Sequence, residues 1–132
     1  MRLYLDSSAV VKLVQHETES DGLRRYLHRH RGDVRVSSAL ARTEVVRAVA
    51  AGGPPAIAHA RRVLGRIHQV DVSGALLDDA AVLAVGAVLR SLDAVHLATA
   101  RTLGADLRAV VTYDARMSTA AIALGMTVEG PV

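Results

Sequence analysis

Short apolar runs alternate with longer stretches of helical period along this chain. Leu3-Tyr4-Leu5 is an apolar run that stops at Asp6, the pattern of a buried strand. Ser7 and Ser8 follow as caps for a helix carrying Val10, Val11 and Leu13. A second helix is predicted from about Ser20 to Arg29, with Leu23 and Leu27 inward and Arg24, Arg25 and Arg29 outward. Gly32-Asp33 marks a turn, and Val34-Arg35-Val36 reads as the second strand. Ser37 and Ser38 are placed to cap the next helix, which runs to Ala51 and is stopped by Gly52-Gly53-Pro54-Pro55.

Ile57 to Ile67 is helical by period, with Arg61, Arg62 and Arg66 on its polar side. Val70-Asp71-Val72 reads as a third strand, and Ser73 caps a long Ala/Leu/Val helix to about Leu89. Another helix begins near Asp93 and reaches Leu103, with Gly104 as its C-cap. Ala109 to Tyr113 is the clearest strand of all and ends at Asp114. A helix over Ala115 to Leu124 and a final strand, Met126-Thr127-Val128, complete the pattern. Strands alternating with helices imply an α/β fold with a parallel sheet covered on both faces.

At 132 residues, with 51% hydrophobic and 22% charged positions, the chain suits one globular domain over residues 1–132. It has no Phe and no Trp, so the core falls to Ala, Val and Leu. Cysteine is absent, which excludes disulfides and thiolate metal sites. Asp6 and Lys12 interrupt the N-terminal apolar run, unlike a signal peptide, and the stretch from Ala80 to Leu89 falls short of the ~18 residues of a membrane span. A cytoplasmic protein is the expectation. Net charge is +3, and Lys12 is the only lysine. Arginine grips phosphate with two parallel hydrogen bonds, so this balance permits a nucleic-acid partner. A GC-rich genome produces the same bias.

Four carboxylates stand out. Asp6 and Asp114 each follow a buried strand, and ligands of open α/β sheets bind beyond the carboxyl ends of strands. Each also suits the cap of the helix after it. Glu44 shares its helical stripe with Leu40, Ala41, Ala48 and Ala51, so its charge faces inward and needs a cation, a metal or a proton. Arg47 is one available cation. Asp93 repeats the pattern with Leu97 and Ala100, although the helix dipole also favours an acid there. His96 beside it reads as a satisfied, partly buried histidine. Carboxylates clustered without Cys or paired His favour a hard cation, Mg²⁺ or Mn²⁺. Such ions activate water and neutralise a phosphoryl group.

The segments Leu5-Asp6-Ser7-Ser8, Ala41-Arg42-Thr43-Glu44, Leu92-Asp93-Ala94-Val95-His96 and Val110-Val111-Thr112-Tyr113-Asp114 resemble the acidic motifs of the PIN-domain family. Within it, they are most similar to the VapC-type toxins of bacterial toxin–antitoxin pairs. Any one is a weak pattern; all four, in order and across the whole chain, are specific. The resemblance implies a three-layer sandwich with a mostly parallel sheet of four to five strands flanked by helices. It also implies an endoribonuclease that cuts single-stranded or looped RNA by metal-assisted attack of water. Asp6 and Asp93 match the positions expected to ligate Mg²⁺ or Mn²⁺ most directly, with Glu44 and Asp114 completing the site or holding the water. Ser8 and Thr112 match hydroxyls that orient the carboxylates. Many relatives carry a further acid after the fourth motif, where this chain has Ala115-Arg116-Met117. The difference bears on a second metal position, and Arg116 becomes a candidate phosphate contact.

A homodimer and a VapB-like antitoxin, covering the acidic pocket and offering it an arginine, are the partners that the resemblance implies. Two candidate basic rims for RNA are Arg24, Arg25, Arg29, Arg31 and Arg35, and Arg61, Arg62 and Arg66. Tyr4, Tyr26 and Tyr113 are the aromatic groups that could stack on bases. Two other classes compete. A catalytically silent PIN-like interaction module would keep the fold without the chemistry. An aspartyl phosphatase would also place an Asp after the first strand, but it needs a second Asp where this chain has Ser8.

Overall fold

The first strand, β1 (Arg2–Leu5), is apolar at every position after Arg2 because it is covered on both sides. Leu3 and Leu5 point into one core with Val10, Leu23, Leu27, Val45 and Leu64, while Tyr4 points into another with Val36, Leu97, Val110 and Met117. The computed structural model describes residues 1–83 and 89–132. After β1 come α1 (Ser7–Val14), α2 (Ser20–Arg29), β2 (Val34–Ser38), α3 (Ala41–Val49), α4 (Pro54–Leu64) and β3 (His68–Val70). Then follow α5 (Gly74–Ala81), α6 (Ser91–Arg101), β4 (Leu107–Val111), α7 (Ala115–Ala123) and β5 (Val128–Glu129).

The five strands form one sheet in the order β3-β2-β1-β4-β5, and every neighbouring pair is parallel. Helices α1 to α4 contribute to the core on one face, and α6 and α7 to the core on the other. This is the expected three-layer arrangement. The chain builds outward from β1 to β3 on one side, then returns to place β4 and β5 on the other. The direction of winding therefore reverses between β1 and β4. At such a reversal the connections diverge above and below the sheet and leave a crevice beyond the strands' carboxyl ends.

Several local expectations are corrected. Ser37 and Ser38 belong to β2 and are fully buried; Ser38 Oγ accepts from Leu40 N at 3.1 Å, ahead of a helix that starts only at Ala41. Asp6, not Ser7 or Ser8, caps α1. Gly53, with φ at +79°, makes the break after α3, whereas Pro54 opens α4 because a helix's first residue needs no N–H partner. The third strand lies at His68–Val70, where it pairs with Val36–Ser38, and the fourth at Leu107–Val111. Helix α6 ends at Arg101 with Thr102 as its cap, and Gly104 begins a short 3₁₀ turn. Helix α5 ends at Ala81, and the part of its expected extension over 84–88 lies outside the described residues.

At the opposite end of the sheet, Asp33 fastens the strand starts. Its carboxylate accepts from the N-terminal ammonium of Met1 at 3.1 Å and forms a two-point pair with Arg108 at the start of β4. The Arg108 hydrogen bonds lower the Asp33 carboxyl from its ordinary 3.8 to about 2. A depressed folded-state value means that the contribution is present above about 4 and lost as pH falls toward 2. Asp33→Asn is therefore expected to lower the melting temperature at neutral pH, with the gap to wild type closing between pH 4 and 2. Thermal melts across that range check the prediction; a gap independent of pH would refute the assignment.

Candidate active site

Asp6 leaves the carboxyl end of β1 and turns directly into α1. It is 3% exposed, so its charge needs close partners. Ser8 Oγ donates to Oδ1 at 2.6 Å, Ala9 N donates to the same oxygen at 3.1 Å, and the Thr112 hydroxyl donates to Oδ2. Burial pushes the Asp6 carboxyl above its ordinary range, against the pull of those three donors. Thr112 follows β4, the neighbour of β1, and its hydroxyl also accepts from Asp114 N at 3.1 Å. Ser8 reaches across as well, accepting from Tyr113 N at 3.0 Å. The two strand ends are thus tied together by the hydroxyls that hold the carboxylate.

Asp114 lies in the loop between β4 and α7, and its Oδ1 caps α7 by accepting from Arg116 N and Met117 N at 2.8 and 3.1 Å. Capping and placement at the rim are both true of Asp6 and Asp114. Asp93, in the first turn of α6, is 8% exposed. Arg90, just ahead of α6, joins the two: its Nε donates to Asp93 Oδ2 at 2.9 Å and an Nη donates to Asp114 Oδ2 at 3.2 Å. The sequence pattern does not single out Arg90. Its signal was an arginine three residues before an inward Asp across a helix start.

Glu44 does not use Arg47. Its Oε1 meets His96 Nε2 at 2.6 Å and accepts from Ser7 Oγ at 2.7 Å. His96 is 2% exposed, and its Nδ1 lies 2.7 Å from the Tyr4 hydroxyl. An ionised carboxylate can only accept, so Nε2 carries the proton, and in the neutral imidazole Nδ1 is then the acceptor for the Tyr4 hydroxyl. Burial pushes the Glu44 carboxyl up, but the His96 and Ser7 hydrogen bonds outweigh it and hold the group below its ordinary value. Tyr4 is fully buried, and burial raises its hydroxyl well above the usual range. Tyr4→Phe, which keeps the volume and deletes the donor, is expected to cost ~1 kcal/mol in urea denaturation. No loss would mean that the hydrogen bond carries no net stability.

These bonds link Asp6 to Asp114 through Thr112 and Asp114 to Asp93 through Arg90, and pair Glu44 with His96 of α6. The Arg90 charge acts on Asp93, Asp114 and Glu44, and the His96 imidazole acts on Asp6. The donor set is oxygen only, which suits a hard divalent cation. Among the described residues no three carboxylate or imidazole groups stand close enough to enclose an ion as the side chains sit. Glu44 Oε2 and Asp93 Oδ1 receive no protein donor among those residues and are available to a cation.

The PIN-domain family model matches residues 3–123, a span that contains all four acids. The chain belongs to the PIN-domain family. It is 52% identical over 98% of its length to Ribonuclease VapC46 of Mycobacterium tuberculosis (strain ATCC 25618 / H37Rv), of which it covers 97%. Ribonuclease VapC35 of the same strain is 42% identical over 98% of this chain and 96% of that one, so this PIN domain is of the VapC type. In structure it resembles Mycobacterium tuberculosis VapC20, a sarcin–ricin loop cleaving toxin, with a TM-score of 0.74 over 89% of this chain and 94% of that one. Sequence identity to VapC20 is only 18%, and that likeness bears on the fold alone.

Two further placements matter in this PIN domain. Arg116 is exposed at the start of α7, and its side chain makes no ion pair among the described residues. Tyr4 and Tyr26 are buried, and the Tyr113 hydroxyl donates to Pro131 O at 2.6 Å. The expected aromatic stacking groups are thus reduced to the half-buried ring of Tyr113.

Proposed function

We propose that this chain is a divalent-metal-dependent endoribonuclease toxin acting on single-stranded or looped RNA and silenced by a VapB-like antitoxin. The observation that supports this reading is the hydrogen-bond network linking the four acids: Thr112 joins Asp6 to Asp114, Arg90 joins Asp114 to Asp93, and Glu44 pairs with His96 on the helix that carries Asp93. Asp6 and Asp93 are the residues we expect to hold Mg²⁺ or Mn²⁺, with Glu44 and Asp114 completing the site. When bound, the ion supplies an activated water and neutralises charge on the phosphoryl group.

The chain's own side chains do the rest. Ser8 and Thr112 fix the Asp6 carboxylate by hydrogen bonds to its two oxygens. Ser7 and His96 occupy Glu44 Oε1 and keep the group ionised, leaving Oε2 to accept a proton from attacking water. Arg90 offers a guanidinium that can pass from the carboxylates to a substrate phosphate, and Arg116 lies at the same rim. The relatives named as ribonucleases, aligned over nearly their full lengths, support the reading.

The deciding experiment incubates labelled single-stranded RNA with purified protein, with Mg²⁺ or Mn²⁺ and with EDTA. Cleavage with metal and none with EDTA is expected; equal cleavage in both would remove the metal. Residues 1–132 are expected to act as one domain and to pair as a homodimer, for which exposed Leu77 and Leu92 on α5 and α6 are available apolar surface. Light scattering is expected to give twice the chain mass, and a monomer at micromolar concentration would refute the dimer. No described helix is long and apolar enough to cross a membrane, and we place the protein in the cytoplasm.

A further inference from the structure

We infer that a belt of arginines leading away from Glu44 across the β3 side of the molecule is a binding track for the phosphate backbone of single-stranded RNA. The inference rests on the ribonuclease reading. The fold brings Arg31 and Arg35 of one arginine group and Arg61 and Arg66 of the other, far apart in sequence, onto one side together with Arg42 and Arg47. Arg42, Arg47 and Arg61 line a cavity between α3 and α4. Arg31, Arg35 and Arg66 line a second cavity at the outer strands and also a third between α2 and α4. The first two cavities share Leu64, Gly65 and Gln69, and the second and third share Arg31, Arg35, Arg66 and Ile67, so the three are neighbours.

None of these six guanidinium groups makes an ion pair among the described residues. Elsewhere Arg2, Arg90 and Arg108 face carboxylates within 3.2 Å and Arg24 faces Asp21 at 4.0 Å, whereas Arg25, Arg29, Arg62, Arg101 and Arg116 also lack an ion pair among the described residues, so what sets the belt apart is the scarcity of acids around it. The one carboxylate lining the belt is Asp33, already held by Arg108 and the N-terminus. Helix α4 contains no acid at all. A solvated helix face ordinarily mixes both signs, so that neighbouring charges attract. Six unpaired like charges repel, and a polyanion relieves that repulsion. A genome-wide bias toward arginine would raise their number everywhere and would not strip one surface of its acids.

Position ties the belt to the chemistry. Arg42 and Arg47 stand on α3 two residues before and three after Glu44, within one helical turn of the acidic crevice. That crevice repels phosphate, and a strand of RNA needs cations alongside it to be held there. Guanidinium groups suit the task because each can take two oxygens of one phosphate. The belt's lining contains no tyrosine, so it would grip the backbone and leave base choice to the crevice.

The test measures binding of a fluorescein-labelled 20-nucleotide single-stranded RNA to the full chain by anisotropy, in EDTA, with the RNA recovered intact. The variants are the triple Arg35→Gln/Arg47→Gln/Arg66→Gln and, outside the belt, Arg101→Gln. Removing one phosphate-bound cation lowers the slope of log affinity against log salt by ~0.7. The triple variant is expected to lose a slope of about 2 and at least tenfold in affinity at moderate salt. Arg101→Gln is expected to change neither. With metal present, KM for the 20-mer is expected to rise at least tenfold in the triple variant. Circular dichroism must show both variants folded, and if the triple does not fold, the three single variants are measured instead.

Unchanged affinity and slope in the folded triple variant would overturn the belt while leaving the ribonuclease reading intact. Weakened RNA binding in the triple variant, with no cleavage by wild type under any metal, would keep the belt and remove the ribonuclease. Should the variant keep its RNA but release poly-glutamate, the belt would instead serve an acidic protein partner, and the inference fails.

Discussion

Asp6→Asn is expected to reduce cleavage of single-stranded RNA at least about a hundredfold, the scale at which a preorganised charged group acts on a transition state. Asn keeps the shape and an oxygen that can accept from Ser8 and from Ala9 N, so the cap of α1 survives. What disappears is the negative charge at the end of β1. The same change is expected to raise the melting temperature in EDTA at pH 7. Burial lifts the folded-state carboxyl above its unfolded value of 3.8. For a raised carboxyl, the folded state binds more protons in that window, so stability declines as pH climbs through it. At neutral pH the full penalty of ionisation remains, and Asn is free of it. A variant both sluggish and more heat-resistant is the signature of a side chain kept for chemistry. Wild-type cleavage rates in Asp6→Asn would sink the assignment, whatever the melting temperature.

His96→Leu is expected to lower stability. It strands the fully buried Tyr4 hydroxyl, which loses its acceptor, and takes from Glu44 Oε1 one of two donors, Ser7 Oγ remaining. A polar group left buried without a partner costs ~1–3 kcal/mol, and a loss of ~1–3 kcal/mol is expected. That is a large part of a total near 5–15 kcal/mol. Urea denaturation gives the value, and a double mutant gives the cause. With Tyr4→Phe added, the stranded group is gone, and the pair is expected to lose less than the sum of the single changes. Strict additivity would show that the two side chains act independently.

Much of the frame was legible because local rules and the fold agree. Leu3-Tyr4-Leu5 reads as buried on both faces, and so it is. The acids at positions 6, 44, 93 and 114 announced themselves by interrupting apolar periods, and their distance along the chain was no obstacle. What stayed hidden was lateral. Nothing near Glu44 points to a histidine 52 residues away, and nothing near His96 points to a tyrosine 92 residues back. Arg47 was the cation available to the sequence reading because a helix shows its own neighbours in sequence and conceals those of other elements. The strand boundaries slipped for a related reason. His68 and Gln69 are weak strand formers, yet Val36 and Ser37 stand opposite them in the sheet and decide the register. Pro54 misled because one residue type both ends and begins helices, and only Gly53 beside it tells which.

The adjacency of the first and fourth strands carries a consequence for the order in which the acidic centre can assemble. A chain emerging from the ribosome shows Asp6 and Glu44 first, and residues 107 to 111, which carry Thr112 and Asp114 to their places, only after both. Until that strand slides in beside the first, half the centre has no counterpart.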